Sequence, residues 1–298
     1  MEMPNKNCHE IEALEQGTEA WLEQRRKVIT ATDIAPIMGV SPWATNYTLW
    51  CDKLNGAEKK ESKYLEWGSR LEPIIIDKVV EALGIKNDRR GKCYIDGWKM
   101  ASLDGEGELD GEKIIIEAKT SSHRDGWFDD DGNETIPLHY RLQAQWQMIV
   151  TGCNRVIFTV LCCGSDWWYR ECKYDEGTAQ DISILCEQFY NCMVTKTEPS
   201  PVVSIYSQAC EAESQKRSEA LAKLEASKVL VDGNIYDRWL DAQLDFDKAK
   251  LAKLQADNLL KAKLSELNGT IACIGDEANA IPVVKLTKSG KGFYLKKI

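Results

Sequence analysis

The stretch that decides the fold is Asp104-Gly-Glu-Gly-Glu-Leu-Asp-Gly-Glu-Lys-Ile-Ile-Ile-Glu117-Ala-Lys119. It places an aspartate at a turn, followed by a short apolar strand that ends in Glu-x-Lys. Because successive side chains of a strand point to opposite faces, Glu117 and Lys119 share one face, and Asp104 can reach it from the preceding strand. Two carboxylates suit a hard cation such as Mg²⁺ or Mn²⁺. The lysine can orient or deprotonate a water, or stabilise a phosphate charge. The stretch therefore has the minimal groups for cleaving a phosphodiester.

The Glu-x-Lys tripeptide also has a simpler interpretation. On a strand it is common as a solvated cross-strand charge pair, which contributes little to stability. The isoleucines at 114–116 favour a functional site, because an apolar run without alternation predicts a strand buried on both faces. Ionisable groups at the end of such a strand need a charged partner or a metal ion.

A third carboxylate lies upstream. The sequence from Trp67 predicts an amphipathic helix that ends at Gly84. This prediction puts Glu72 in the first helical turn, where the helix dipole favours an anion. Glu72 is therefore either a partner of the dipole or a ligand for a second metal ion.

A glutamine-rich helix is predicted downstream, from Tyr140 to Gly152. Gln143 and Gln147 are four residues apart and share one face of it. They are either ordinary surface residues or sequence-neutral donors to phosphate oxygens.

A small basic cluster, residues 25–27, precedes a short predicted helix near the N-terminus. Thr32 or Asp33 is the expected N-cap of this helix, which ends near Gly39. A helix N-terminus beside guanidinium groups is suited to a phosphate group. A solvated basic turn is the alternative.

Six short motifs follow one another in order along the first half of the chain. They are Trp21 with Arg25 and residues 29–33, Gly39 with residues 41–43, Trp67-Gly68 with Glu72, residues 102–105, residues 117–119, and Tyr140 with Gln143, Gln145, Met148, Thr151 and Gly152. This ordered set resembles the YqaJ-type phage recombinases, relatives of lambda exonuclease in the PD-(D/E)XK nuclease superfamily. The resemblance extends over about residues 14–165 and is far more specific than any single motif.

The resemblance implies an α/β fold with a PD-(D/E)XK nuclease core, in which helices flank a mixed central sheet. It also implies an exonuclease that degrades the 5′ strand of duplex DNA and leaves a 3′ single strand for recombination. Implied partners are double-stranded DNA, a single-strand annealing protein and further copies of the chain in a ring trimer. Two alternatives stay open: a structure-specific endonuclease of the same superfamily, and a non-catalytic DNA-binding assembly subunit.

By position, the resemblance also assigns roles to individual residues. Asp104 and Glu117 would hold the catalytic metal ion, and Lys119 would prime the attacking water. Glu72 would help to bind a metal, a second Mg²⁺ or Mn²⁺ ion. The residues that would bind substrate are Arg25 and Thr32, as a pocket for the 5′ phosphate, and Tyr140, Gln143 and Gln145, on the glutamine helix.

Composition bounds the class of protein. The chain of 298 residues has no apolar run of membrane-spanning length and no visible signal peptide, so a cytoplasmic protein is expected. Its eleven cysteines are expected to be reduced thiols. The net charge of −9 argues against broad, nonspecific coating of DNA, but not against a metal-dependent nuclease.

Three parts are expected along the chain. Residues 1–200 form the nuclease domain. Residues 201–268 predict a helical hairpin broken around residues 232–234, whose leucine seam either folds onto the core or forms an oligomer contact. Residues 269–298 predict a small β-hairpin tail with a basic turn, which either follows a DNA backbone or protects a sheet edge.

Within the first part, strands are predicted near residues 92–103, 112–120, 154–162 and 167–173, and a helix near 178–193. The polar loop at 121–134 contains Trp127 and Phe128, which either stack on a base or anchor the loop by packing. The histidines His9, His123 and His139 are expected at the surface.

Overall fold

The computed structural model describes residues 8–15, 18–56, 62–129, 131–202, 204 and 206–222, single helical positions between 238 and 249, and the segments 271–274, 281–289 and 292–297. The chain divides into two compact units, Met1–Leu224 and Glu225–Ile298. The expected three-part division, with boundaries at 200 and 268, stays a prediction. No helix in the described ranges is long and apolar enough to cross a membrane.

The first unit alternates helices and strands. Its helices are α1 (Glu19–Arg26), α2 (Ile34–Ile37), α3 (Asn46–Asn55), α4 (Lys63–Leu83), α5 (Leu138–Thr151), α6 (Glu176–Thr195) and α7 (Ser207–Ala222). Its strands are β1 (His9–Ile11), β2 (Ile29–Thr30), β3 (Lys86–Asp96), β4 (Lys99–Leu109), β5 (Glu112–Ser121), β6 (Arg155–Cys162) and β7 (Asp166–Lys173). The glutamine-rich helix and the helix near 178–193 are confirmed as α5 and α6.

One mixed sheet organises this unit. Its strand order is β1-β3-β4-β5-β6-β7, with β2 paired to β4. β5 and β6 run parallel and are joined through α5, whereas the other neighbours along this order pair antiparallel. The predicted α/β class with a mixed central sheet and flanking helices is therefore confirmed.

Helices cover both faces of this sheet. On one face, Ile76 and Val79 of α4 pack against Ile116 of β5. On the other, Trp146 of α5 lies in the main core with Ile115 of the same strand. All three isoleucines at 114–116 are fully buried, as their unbroken apolar run predicts. The carboxyl end of β5 therefore lies between two helical layers.

Two predicted boundaries are wrong. The strand expected near 92–103 is two strands, because Gly97 has a φ of 60° and lets the chain reverse between β3 and β4. The helix expected to open at Trp67 begins at Lys63, where the Ser62 hydroxyl accepts a hydrogen bond from the Tyr64 amide. Glu72 consequently lies well inside α4, and the first-turn dipole does not explain it.

The loop aromatics have one clear role. Trp127 is 1% exposed, and its ring packs against Tyr140, Phe158 and Trp168. Of the two interpretations of this loop, anchoring by packing is therefore the one that the structure supports for Trp127.

The predicted helical hairpin, residues 201–268, begins with α7, which packs against α3 of the first unit. On α7, Arg217 lies over the Tyr47 ring of α3 and pairs with Glu198, while Lys216 pairs with Asp52. Residues 232–234, where the hairpin is expected to break, lie outside the described residues.

The second unit contains an antiparallel sheet. Its strands β8 (Ile271–Ile274), β9 (Ile281–Ser289) and β10 (Gly292–Lys297) are ordered β10-β9-β8. The expected hairpin is the β9–β10 pair, in which Ser289 lies opposite Gly292. A third strand, β8, which lies within the predicted β tail, pairs along the other side of β9.

Candidate active site

The site lies where β4 and β5 stop pairing. Their ladder ends at Gly105↔Ile116, while β5 continues along β6 as far as Ser121. Asp104 and Glu117 are the next residues on the two strands. The Ala118 amide donates to Asp104 Oδ2 at 2.9 Å. This contact holds the aspartate at the fork between the strands.

Glu117 is the most enclosed of the four predicted catalytic residues. Its side chain is 3% exposed and receives three donors. Lys119 Nζ lies 2.5 Å from Oε1, Gln143 Nε2 donates to the same oxygen, and Gln147 Nε2 donates to Oε2 at 2.7 Å. Gln143 and Gln147 share one face of α5, as their spacing predicts, and that face is turned to the carboxylate.

Lys119 is a donor in this arrangement. Burial lowers the pKa of Lys119, but the negative charges of Glu117 and Asp104 outweigh it, so the net pKa lies above the ordinary lysine value. The ammonium group also lies 4.9 Å from the centre of the Tyr140 ring. Beside these two carboxylates it is therefore a protonated group suited to orienting water or stabilising negative charge.

The three predicted metal ligands influence one another electrostatically. Burial and then the charge of Glu117 raise the pKa of Asp104 well above its ordinary value, and Glu72 adds to this effect. Burial and the charge of Glu117 also raise the pKa of Glu72. The charges of Lys119 and, at Glu72, of Arg90 act in the opposite direction but do not outweigh this effect. Such an arrangement favours an additional cation.

The donor set fits a hard divalent cation in its chemistry. Carboxylate oxygens are the ligands that Mg²⁺ and Mn²⁺ prefer. The buried Gln147 Oε1 has no hydrogen-bond partner within the described ranges and is free to accept one from a bound water. Among the described residues, however, no three His, Cys, Asp or Glu side chains lie close enough together to hold a metal as they stand. A metal ligated by Glu117 would therefore replace part of that residue's internal bonding.

A second part of the site surrounds Arg25, at the end of α1. Arg25 Nη2 donates to Thr32 Oγ1 at 2.7 Å and to Thr30 Oγ1 at 3.0 Å, and the guanidinium lies 4.5 Å from the centre of the Trp21 ring. No carboxylate of the described residues forms an ion pair with Arg25. The neighbouring Arg26 is different, because it pairs with Glu23. Arg25 can therefore receive an external anion.

A buried ion pair fixes the backbone around Arg25. Lys53 Nζ lies 2.5 Å from Asp33 Oδ2 and donates to the Arg25 carbonyl at 2.8 Å. The same Asp33 oxygen accepts from the amide and hydroxyl of Thr30. Asp33 is the N-cap of α2, as expected, but its side chain makes no capping hydrogen bond to that helix. It takes part instead in a capping box that starts at Thr30 and opens the 3₁₀ turn Ala31–Asp33.

The Arg25 pocket and the strand fork share strand β4. Thr30 lies opposite Met100, and Asp104 is four residues farther along, about 13 Å at the usual rise of a strand. The exposed Ser102 lies between them, with its hydroxyl 3.7 Å from Cys93 Sγ. Burial raises the pKa of the Cys93 thiol. The charge of Arg25 lowers it, which shows that Arg25 lies near Cys93. Ser102 is therefore a further candidate site residue. The sequence does not single it out by itself, although its two-residue spacing from Asp104 places both on one strand face.

Gln145 is not brought to this cluster. Its amide nitrogen donates to the Lys173 carbonyl at 2.7 Å, and its oxygen accepts from the Asp175 amide at 2.9 Å. Residues two apart on a helix point in different directions, so Gln145 cannot share the face of Gln143. It joins α5 to the segment between β7 and α6, which is a structural role.

The surface position predicted for His139 is wrong. The residue is half-buried, with its ring 4.1 Å from that of Tyr140 and 5.4 Å from that of Trp43. Burial and the nearby Lys119 charge lower the pKa of His139 to about 4. The ring is therefore neutral at pH 7 and forms part of the site wall.

Together, the forked mixed sheet, the Asp-Glu-Lys group at the fork and the helices on both faces define a fold of the PD-(D/E)XK class. Comparison with known proteins agrees with this class. Residues 20–154 match the family model of the YqaJ-like viral recombinase domain, so the predicted resemblance is confirmed for this segment.

Individual relatives extend the comparison. The chain is 30% identical over 187 residues to the uncharacterized protein YqaJ of Bacillus subtilis (strain 168), a match that covers 59% of this chain and 56% of the relative. The chain thus spans about half the length of that relative. A solved alkaline exonuclease from Laribacter hongkongensis aligns with 68% of this chain and all of its own, at 16% identity and a TM-score of 0.48. A phage-related exonuclease from Haemophilus somnus aligns with 57% of this chain and 96% of its own, at 13% identity and a TM-score of 0.42.

Proposed function

We propose that this chain is a metal-dependent deoxyribonuclease that digests linear duplex DNA from a 5′ end and leaves a 3′ single strand for phage-type recombination. The observation that supports it best is the pairing of two sites along β4. A fork with Asp104, Glu117 and Lys119 suits phosphodiester cleavage, and Arg25, which forms no ion pair among the described residues, suits an end phosphate. The YqaJ-like domain contains every residue of this arrangement.

The proposed cofactor is Mg²⁺ or Mn²⁺, with two ions per site. Glu72, Asp104 and Glu117 would hold them, since their carboxylates act on one another and the charges of Lys119 and, at Glu72, Arg90 offset this only in part. A bound ion would supply Lewis-acid activation of water and neutralise charge on the phosphate. Gln143 and Gln147 keep the Glu117 carboxylate oriented through its two oxygens.

Lys119 acts on the phosphate side of the reaction. Its ammonium group lies beside Glu117 at the fork, where it would hold the attacking water and stabilise the charge that develops on the phosphate oxygens. The Tyr140 ring beneath the ammonium group limits where the lysine side chain can move. These roles need no proton transfer to the lysine.

The Arg25 pocket explains a preference for ends. A guanidinium and the Thr32 hydroxyl would bind a terminal 5′ phosphate through charge-assisted hydrogen bonds. Each cut would leave a new 5′ phosphate for the same pocket. Double-stranded DNA is thus the proposed substrate; an annealing protein, a ring trimer and a cytoplasmic location remain further proposals.

The test compares linear duplex DNA with the same duplex as a covalently closed circle, each with Mg²⁺ and with a chelator. We expect Mg²⁺-dependent digestion of the linear form alone, with strand polarity read from end labels. Cleavage of the circle would favour the endonuclease alternative. Binding without digestion of either form would favour the non-catalytic subunit.

A further inference from the structure

Trp43 is an exposed aromatic residue for which the proposed function has no role so far. It lies between α2 and α3 and is 60% exposed. Its position is nonetheless fixed, because Ser41 Oγ accepts hydrogen bonds from the amides of Trp43 and Ala44, both at 3.2 Å. A tryptophan held rigidly in an exposed position does not contribute to the core.

A row of rings connects Trp43 with the cleavage site. The Trp43 ring meets His139 edge-to-face, with centroids 5.4 Å apart and planes at 87°. His139 lies 4.1 Å from Tyr140, and Tyr140 lies beneath the Lys119 ammonium group. His139 and Tyr140 belong to the first turn of α5, the helix that also supplies Gln143 and Gln147. The exposed Trp43 ring thus lies next to His139 and Tyr140, which line the candidate active site, and its position relative to them is fixed.

We propose that Trp43, supported by His139, is a stacking surface for an unpaired nucleobase of the strand that is cleaved. The inference rests on the proposed nuclease function. Every base has a π face, so an exposed indole binds DNA without regard to sequence. The neutral His139 ring adds an uncharged surface beside Trp43. Positive charge lies instead at Lys119 and Arg25, where phosphates are expected.

The experiment removes the base and the indole separately and together. Linear 5′-phosphorylated duplexes carry one abasic site at each of the first four nucleotides of the cleaved strand in turn. Binding is measured by fluorescence anisotropy in chelator, and cleavage by single-turnover digestion in Mg²⁺. The proteins are wild type, Trp43→Ala, Trp43→Phe and Trp67→Ala, the last altering another exposed tryptophan, on α4.

For at least one position, the abasic site should weaken wild-type binding by about tenfold, the usual scale of one base stacked on an aromatic ring. The same abasic site should cost Trp43→Ala almost nothing, because the partner ring is already gone. Trp43→Phe should keep most of the wild-type penalty, and Trp67→Ala all of it. Equal penalties in wild type and Trp43→Ala at every position would overturn the proposal.

Two further outcomes distinguish base stacking from a failure of the nuclease function and from an oligomer contact. If wild type does not digest linear duplex, the proposed function fails, whereas the binding comparison still tests stacking. If Trp43→Ala changes the molecular mass in solution and leaves the abasic penalties unchanged, Trp43 belongs to an interface between copies, and the stacking surface is wrong.

Discussion

At the scale of single residues, Lys119 has the most sharply defined contacts. Lys119→Ala should lower the single-turnover cleavage rate by about 10²–10⁴-fold, because it removes one electrostatic group from the reacting centre. DNA binding should change little, whereas the melting temperature should fall, because Lys119 is the cation paired with the buried Glu117. The two proteins are therefore compared at a temperature at which the variant is folded. Lys113→Ala on the same strand is the control, since Lys113 pairs with Glu106 away from the fork. Near-normal cleavage by Lys119→Ala would remove the lysine from the mechanism.

Asp104 tests the metal ligands. Asp104→Asn should weaken Mg²⁺ binding by at least about tenfold, the lower end of what loss of even an outer-shell partner costs. Glu108→Gln is a matched control, because Glu108 is exposed and bonds only Asn87 among the described residues. Calorimetric titration of the three proteins measures the difference. Equal affinities in wild type and Asp104→Asn would place the metal elsewhere.

Arg25 tests the end preference. Arg25→Ala should erase the preference for 5′-phosphorylated over 5′-hydroxyl duplex, while a single metal-dependent cut remains. Arg26→Ala is the control, because Arg26 pairs with Glu23 and donates to the Leu54 carbonyl. Digestion rates on both end types measure the preference. If wild type shows no end preference, or if Arg26 alone determines it, the pocket is wrong.

The sequence predicts the contacts of a residue better when the contacting residues lie close to it in the chain. Glu117 and Lys119 share a strand, and Gln143 and Gln147 share a helix face, so simple periodicity brings each pair together. His139 could not be assigned in this way, because its environment comes from Trp43 and Lys119, which lie far away in the chain.

At the scale of elements, the buried Asp33–Lys53 pair holds the Arg25 segment to α3. Lys53→Met should destabilise the fold by about 3–5 kcal/mol, because it leaves a buried carboxylate without its partner. Urea unfolding at pH 7 measures this loss. The double variant Asp33→Leu/Lys53→Met should recover part of it, since no unpaired charge then remains. A loss below about 1 kcal/mol, typical of exposed pairs, would show that the buried pair does not hold the segment.

The same pair has a defined pH dependence. Burial raises the pKa of Asp33, but Lys53 and Arg25 outweigh it, so the folded pKa lies below the ordinary aspartate value. The stabilisation is therefore complete above the unfolded pKa and is lost as pH falls through the folded pKa. The difference between wild type and Lys53→Met should shrink in acid.

Element boundaries are predicted less well than the elements themselves. The reversal at Gly97 has a signal in the sequence, the Asp-Gly dipeptide at 96–97 that is typical of a tight hairpin turn, but the predicted strand follows the apolar residues on both sides of it. The early start of α4 at Lys63 is not predicted because Gly68 and Pro73 suggest a boundary, whereas packing of Ile76 and Val79 on β5 maintains the helix. Both errors move Glu72 and β4 relative to the site without changing the predicted chemistry.

At the scale of the whole molecule, charge limits how DNA is bound. The net charge is −9, and many described cations already pair with carboxylates, among them Arg26, Arg70, Arg89, Arg90 and Arg155. Few remain to displace counterions, so log K against log salt should have a slope shallower than about −4, at about −0.9 per phosphate contacted. A slope near −8 would require a basic surface that the first unit does not supply in its described residues.

The lysines of the C-terminal sheet decide between the two interpretations of that segment. Strands β9 and β10 contain Lys285, Lys288, Lys296 and Lys297, and Lys291 lies between the two strands in the sequence. If they follow a DNA backbone, replacing all five by glutamine should make the salt slope shallower by about 0.9 for each phosphate that the variant no longer binds. If they protect a sheet edge, the slope should stay the same and the variant should aggregate more readily, because lysines on an edge oppose strand pairing between molecules. Salt titrations of DNA binding and light scattering of the same two proteins separate these results. A variant with an unchanged slope and unchanged solubility would contradict both roles.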